Sequence, residues 1–138
     1  DTYGETGAFV PIHGSHDRAR YNQWLSFIQM ELDAHTLYVI RKHRDLQHLY
    51  GKAPAAIETA TAGFNKQVAV ASKHLKENEY LVGKNFTGAD LMLAGILQWA
   101  KDYGFDLDPT LTEYTNRQRR RPAYIAANKL NKSIVGLN

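Results

Sequence analysis

The stretch Asn85-Phe86-Thr87-Gly88-Ala89-Asp90-Leu91 constrains this chain more than any other. It reads as a helix start. Thr87 fits the N-cap, its hydroxyl placed to accept from the backbone N–H three residues on. Asp90, at the third helical position, can return a hydrogen bond to the N–H of Thr87. A carboxylate there also meets the positive end of the helix dipole. Phe86 and Leu91 flank the cap at positions suited to a hydrophobic staple. Behind them runs Leu91-Met92-Leu93-Ala94-Gly95-Ile96-Leu97, apolar on every face, which predicts a buried helix. The expectation is a central helix over residues 88–103, stopped by Gly104, with the rest of the chain packed around it.

The other periodicities are helical too. Over residues 17–49, Tyr21, Trp24, Leu25, Ile28, Leu32 and Val39 recur close to the helical period, predicting one long helix or two in sequence. A second, less apolar face carries Ala34, Tyr38, Arg41 and Asp45, with Arg41 and Asp45 spaced as a supporting i,i+4 pair. Pro54 suits the first turn of the next helix, whose stripe is Ile57, Ala60, Phe64, Val68, Ala71 and Leu75. Alanines along residues 53–71 allow close helix approach. Pro109 opens a helix to about residue 120, and Pro122 a short one to about residue 130. No segment has the strand period. The fold class is therefore all-α: a bundle of five to six helices around a buried central helix. The domain spans residues 17–132, preceded by an irregular stretch, 1–16, and followed by a tail, 133–138.

Composition narrows the chemistry. With 138 residues, 43% hydrophobic and 22% charged, the chain suits one folded domain. No apolar run approaches the roughly 20 residues that span a membrane, and the start shows no signal-peptide pattern. There is no cysteine, so disulfides, a thiol nucleophile and cysteine-based zinc sites are excluded. The histidines, at 13, 16, 35, 43, 48 and 74, show no i,i+4 metal spacing. Glu31 and Asp33 lie two apart, so they do not face each other on a helix. There is no phosphate loop and no nucleophile elbow. The net charge of +3 owes much to Arg117, Arg119, Arg120 and Arg121. These read as a solvated helix end complementing the dipole, not as a nucleic-acid surface. No residue set in this chain forms a catalytic centre or a metal site by itself.

One set of motifs does point further. Tyr80-Leu81-Val82-Gly83 precedes the Thr87-Gly88-Ala89-Asp90 box, and Trp99-Ala100-Lys101-Asp102-Tyr103-Gly104 and Arg121-Pro122-Ala123-Tyr124 follow it. Together, from about residue 9 to about residue 132, they resemble the C-terminal helical domain of the glutathione transferases. In that family the Thr/Ser-x-x-Asp box caps the central helix and is a folding determinant. The resemblance implies that Asp1-Thr2-Tyr3-Gly4 is the end of the helix closing an N-terminal thioredoxin-like domain, and that Phe9-Val10-Pro11 is the interdomain linker.

The resemblance also implies a division of labour. The thioredoxin-like domain binds glutathione, and a Tyr, Ser or Cys there favours the thiolate. The helical domain walls the pocket for a small apolar electrophile, and conjugation is aided by proximity. Catalytic residues are then absent from this chain. Trp99, Tyr38, Arg41 and Tyr103 are implied as the second-substrate pocket, while Met92, aligned nearby, reads as core. The closest bacterial class carries His and Lys where this chain has Asp33 and Ala34, so the cation-based site of that class does not transfer. Asp33 is implied instead to face the amino group of the γ-glutamyl moiety. Glutathione is a co-substrate, and no cofactor is implied. The parent is expected to be a cytoplasmic homodimer acting in detoxification, with neither nucleic acid nor membrane as partner. The alternative is a non-enzymatic interaction module, as in elongation factor subunits or aminoacyl-tRNA synthetases.

Overall fold

A computed structural model describes residues 9–134 and 136. The helix end expected at residues 1–4 lies outside them. Among the described residues the fold is helical throughout, with no strand. The first long helix begins as α1 (His16–Phe27), where the Ser15 side chain accepts from the Arg18 N–H. It continues without a break through a π-helical run, Ile28–Leu37, into α2 (Tyr38–Arg44). A single turn, α3 (Gln47–Tyr50), then leads to α4 (Pro54–Leu75), which opens on proline as expected. The last three helices are α5 (Gly88–Asp102), α6 (Pro109–Arg119) and α7 (Pro122–Ile134). The final helix thus runs on to Ile134, past the expected start of the tail.

The core lies where α4, the π-helical run, α5 and α6 meet. On α4, Ala60, Phe64, Val68, Ala71 and Leu75 are buried, while Ile57 is half-buried. Of the α4 alanines, only Ala60 and Ala71 are buried. At Gly63 a Cβ would sit 3.4 Å from the Thr36 methyl.

In the first long helix the expected stripe needs correction. Leu37 and Ile40 are buried and Val39 is only half-buried. On a straight α-helix at about 100° per residue, Leu37 would lie about 180° from Ile28. The π-helical turns carry more residues, hence fewer degrees per residue. They bring Leu37 round to the core face. The Tyr38 N–H reaches the Asp33 carbonyl five residues back, and the Thr36 hydroxyl donates to the carbonyls of Leu32 (2.7 Å) and Glu31 (3.3 Å).

Thr87 and Asp90 form the reciprocal capping box. The carboxylate supplies its stronger half. Oδ2 accepts from both the backbone N–H and the hydroxyl of Thr87, each at 2.9 Å. Oδ1 accepts from the Leu81 N–H and the Tyr114 hydroxyl, also at 2.9 Å. Asp90 is 0% exposed, so the cap is also the hub that ties the 78–86 loop and α6 to the central helix. Burial, with the Asp90 carboxylate beside it, pushes the Tyr114 phenol far above its ordinary range, which keeps it a donor.

The start of α5 also fixes the incoming chain. The Gly88 N–H donates to the Phe9 carbonyl at 3.1 Å. A Cβ at Gly88 would lie 2.5 Å from the Tyr21 hydroxyl, so only glycine admits this approach. The central helix is less enclosed than its composition predicts. Leu91 is 51% exposed and Gly95 is exposed. The Phe86 ring packs near Phe9 and Tyr80 and carries the Arg121 guanidinium 3.3 Å above it. At its C-terminal end α5 stops at Gly104, whose φ of 86° lets the Phe105 N–H return to the Ala100 carbonyl at 3.0 Å.

Candidate functional site

Two side-chain contacts set the register between the first long helix and α5. Near one end the Gln29 amide donates to the Met92 sulfur at 3.8 Å. Near the other the Tyr103 hydroxyl donates to Asp45 Oδ2. Both helices therefore run in the same direction, and a seam opens between them. Arg41 on α2 and Trp99 on α5 each lie four residues before the Asp45–Tyr103 contact.

The α2 end of the seam is built of four side chains. The half-buried Trp99 ring meets the Tyr103 ring edge-on, with centroids 5.4 Å apart. The Arg44 guanidinium lies 3.7 Å above the Tyr103 ring, and its Nε donates to Asp45 Oδ1 at 2.9 Å. The Tyr103 hydroxyl and Arg44 hold the Asp45 carboxyl below its ordinary range. Burial, reinforced by the hydrogen bond to Asp45, pushes the Tyr103 phenol up. At neutral pH the phenol is thus a fixed donor to a fixed carboxylate. Trp99 and Tyr103 form an aromatic wall, and Arg44 covers the Tyr103 part of it.

The other residues singled out from sequence are placed as follows. Arg41 acts on Asp45 only through its field, because the carboxylate is taken by Arg44 and Tyr103. The i,i+4 support expected of Arg41 and Asp45 gives way to these shorter contacts. The Tyr38 ring lies 4.9 Å from the Lys42 ammonium, which is also 5.5 Å from the Tyr50 ring. Asp33, inside the π-helical run, is half-buried with no hydrogen-bond partner for its carboxylate among the described residues. Burial pushes its pKa up. Met92 is half-buried against the core. Arg44 was not legible as a site residue. Its pairing with Tyr103 joins positions far apart in the chain, and no local spacing signals that. Among the described residues no three His, Asp or Glu side chains gather as a metal site.

The chain matches the family model for the glutathione S-transferase C-terminal domain over residues 27–122. It belongs to that family. The match includes the capping box, the seam and the aromatic pair. Solved transferases share the fold. A sphingomonad glutathione S-transferase complexed with glutathione is 27% identical, with a TM-score of 0.71, over 88% of this chain and 58% of that one. A glutathione transferase from Methylococcus capsulatus is 25% identical, with a TM-score of 0.73, over 89% and 58%. A Phanerochaete chrysosporium glutathione transferase in complex with oxidized glutathione is 19% identical, with a TM-score of 0.78, over 91% and 59%. This glutathione S-transferase domain thus spans well under two thirds of the length of the transferases it matches. No curated protein matches it in sequence. Within the domain, among the described residues, no helix is long and apolar enough to cross a membrane.

Proposed function

We propose that this domain is the helical half of a glutathione transferase. In that reading a thioredoxin-like half, joined through the linker at residues 9–11, holds glutathione and activates its thiol. The seam between the first long helix and α5 faces the reacting centre. Trp99 and Tyr103 wall the pocket for a small apolar electrophile, with Arg41 and Tyr38 contributed by the first long helix. Asp33 receives the glutathione amino group, an ammonium at neutral pH. The parent acts as a cytoplasmic homodimer in detoxification.

The observation that carries this reading is the half-buried aromatic pair tied to Asp45 and Arg44 at the end of the first long helix, together with an unpartnered carboxylate at Asp33 on that same helix. A flat aromatic wall suits an aromatic electrophile. A carboxylate without an internal partner is free to take an external cation.

The test uses the parent protein with glutathione and chlorodinitrobenzene. Trp99→Ala raises KM for the electrophile about tenfold and leaves KM for glutathione unchanged. Asp33→Asn does the reverse. A Trp99→Ala variant with wild-type kinetics for several aromatic electrophiles sinks the pocket assignment. Turnover by the 138-residue chain alone sinks the division of labour.

A further inference from the structure

Beside the Arg44–Tyr103 pair, and not lined by Trp99, a cleft of about 510 Å³ opens between α2, α4 and the loop joining α5 to α6. Its floor is apolar, made by Ile40, Ile57, Val68 and Leu111. Its rim is polar. Arg44 is on that rim, but its charge is already met by Asp45 and its plane by the Tyr103 ring. Asp108 is committed as the N-cap of α6, accepting from the Leu111 N–H at 3.0 Å. Burial opposes its ionisation, yet hydrogen bonds from Ser72 and the α6 backbone hold its pKa below the ordinary value. Two rim groups have no partner among the described residues: the Asp106 carboxylate and the Asn65 amide. Of the charged groups lining the cleft, Arg44 is paired with Asp45, which leaves the carboxylates of Asp106 and of Asp108, the latter in the field of Lys76.

We propose that this cleft is a binding site for a small amphipathic amine, separate from the electrophile pocket. Its apolar body fills the floor, and its ammonium reaches the Asp106 carboxylate and the Asn65 side-chain oxygen. The volume accommodates one or two fused rings with a short aminoalkyl arm. An anion is disfavoured by the two rim carboxylates. The site needs no thioredoxin-like half, because every lining residue belongs to this domain.

The probe is dansylcadaverine, an aromatic body on an aminoalkyl arm, titrated into the chain and followed by its fluorescence. Anilinonaphthalene sulfonate serves as the anionic counterpart. One molecule of dansylcadaverine binds saturably per chain. Asp106→Asn weakens it about threefold, the worth of one exposed charge pair. Asn65→Trp, an exposed position whose new ring lies across the cleft, abolishes it. Circular dichroism checks that both variants keep the fold. The proposal is overturned by no saturable binding, or by tighter binding of the sulfonate. It is equally overturned by dansylcadaverine binding that ignores both substitutions, which would place the probe in the aromatic groove at Trp24, Phe27 and His74.

Discussion

Asp90 accepts from two backbone N–H groups and two hydroxyls in a fully buried position. Removing it orphans donors from three parts of the fold at once. A buried donor left unpaired costs about 1–3 kcal/mol, so Asp90→Ala should destabilise the domain by at least about 3 kcal/mol. Thr87→Ala loses a cap alone, worth about 1 kcal/mol. Denaturant unfolding of both variants measures the gap, and equal losses would mean that the ties to Leu81 and Tyr114 carry no weight. The box itself was legible from the spacing of Thr87 and Asp90. The hub was not, because nothing local to residue 90 encodes Tyr114 on another helix.

Asp33 offers a residue-scale contrast. Its folded pKa is raised by burial. The sign follows: its contribution to stability is fully present below the ordinary value of 3.8 and is lost as pH rises through the raised value. At neutral pH the charged side chain therefore works against folding. Asp33→Asn should raise the melting temperature at pH 7, with the difference shrinking towards zero below pH 3.8. A melting temperature that falls at pH 7 would show that the carboxylate has an internal partner.

At the scale of elements, the π-helical run decides which residues the first long helix buries. Leu37 is 0% exposed while Val39 is half-buried. Leu37→Ala should cost about 3 kcal/mol and Val39→Ala about 1. A straight α-helix predicts the opposite order, so the pair of unfolding midpoints tests the π geometry directly. Sequence periodicity located this helix and the buried Tyr21, Ile28 and Leu32, with Trp24 and Leu25 half-buried between them. It failed from Leu37 onward because it assumed a constant turn. No local signal marks the change: Ile28, Leu32 and Thr36 at four-residue spacing also fit one face of an ordinary α-helix. The exposure of Leu91 is a different failure. An apolar run was read as burial on all sides, but burial depends on what neighbours exist, and the sequence of one helix does not state them.

At the scale of the molecule, helix number, order and approximate limits were legible because proline, glycine and capping residues punctuate them. The candidate seam was legible only in part. Trp99 and Tyr103 stand one turn apart on one helix, so their shared face follows from spacing. Their companions Arg44 and Asp45 come from the parallel helix, and parallel packing is set by the whole bundle. Asp45 and Asp108 both have lowered pKa values. For such groups the stabilisation is present above the ordinary 3.8 and is lost as pH falls through the lowered value. The domain should keep its melting temperature from neutral pH down to about pH 5 and lose it progressively below pH 3.8. An Asp45→Asn, Asp108→Asn double variant should flatten that acid limb, and an unchanged limb would assign the loss to other carboxylates.

The Phe9 carbonyl rests on the Gly88 N–H, at the first turn of the most interior helix. Tension arriving along the backbone from the upstream side therefore meets the Gly88 N–H before it reaches α1. The first load falls beside the Thr87–Asp90 corner, where Leu81 and Tyr114 are also tied. An incoming chain is thus seated on the interior helix and not on the outermost one.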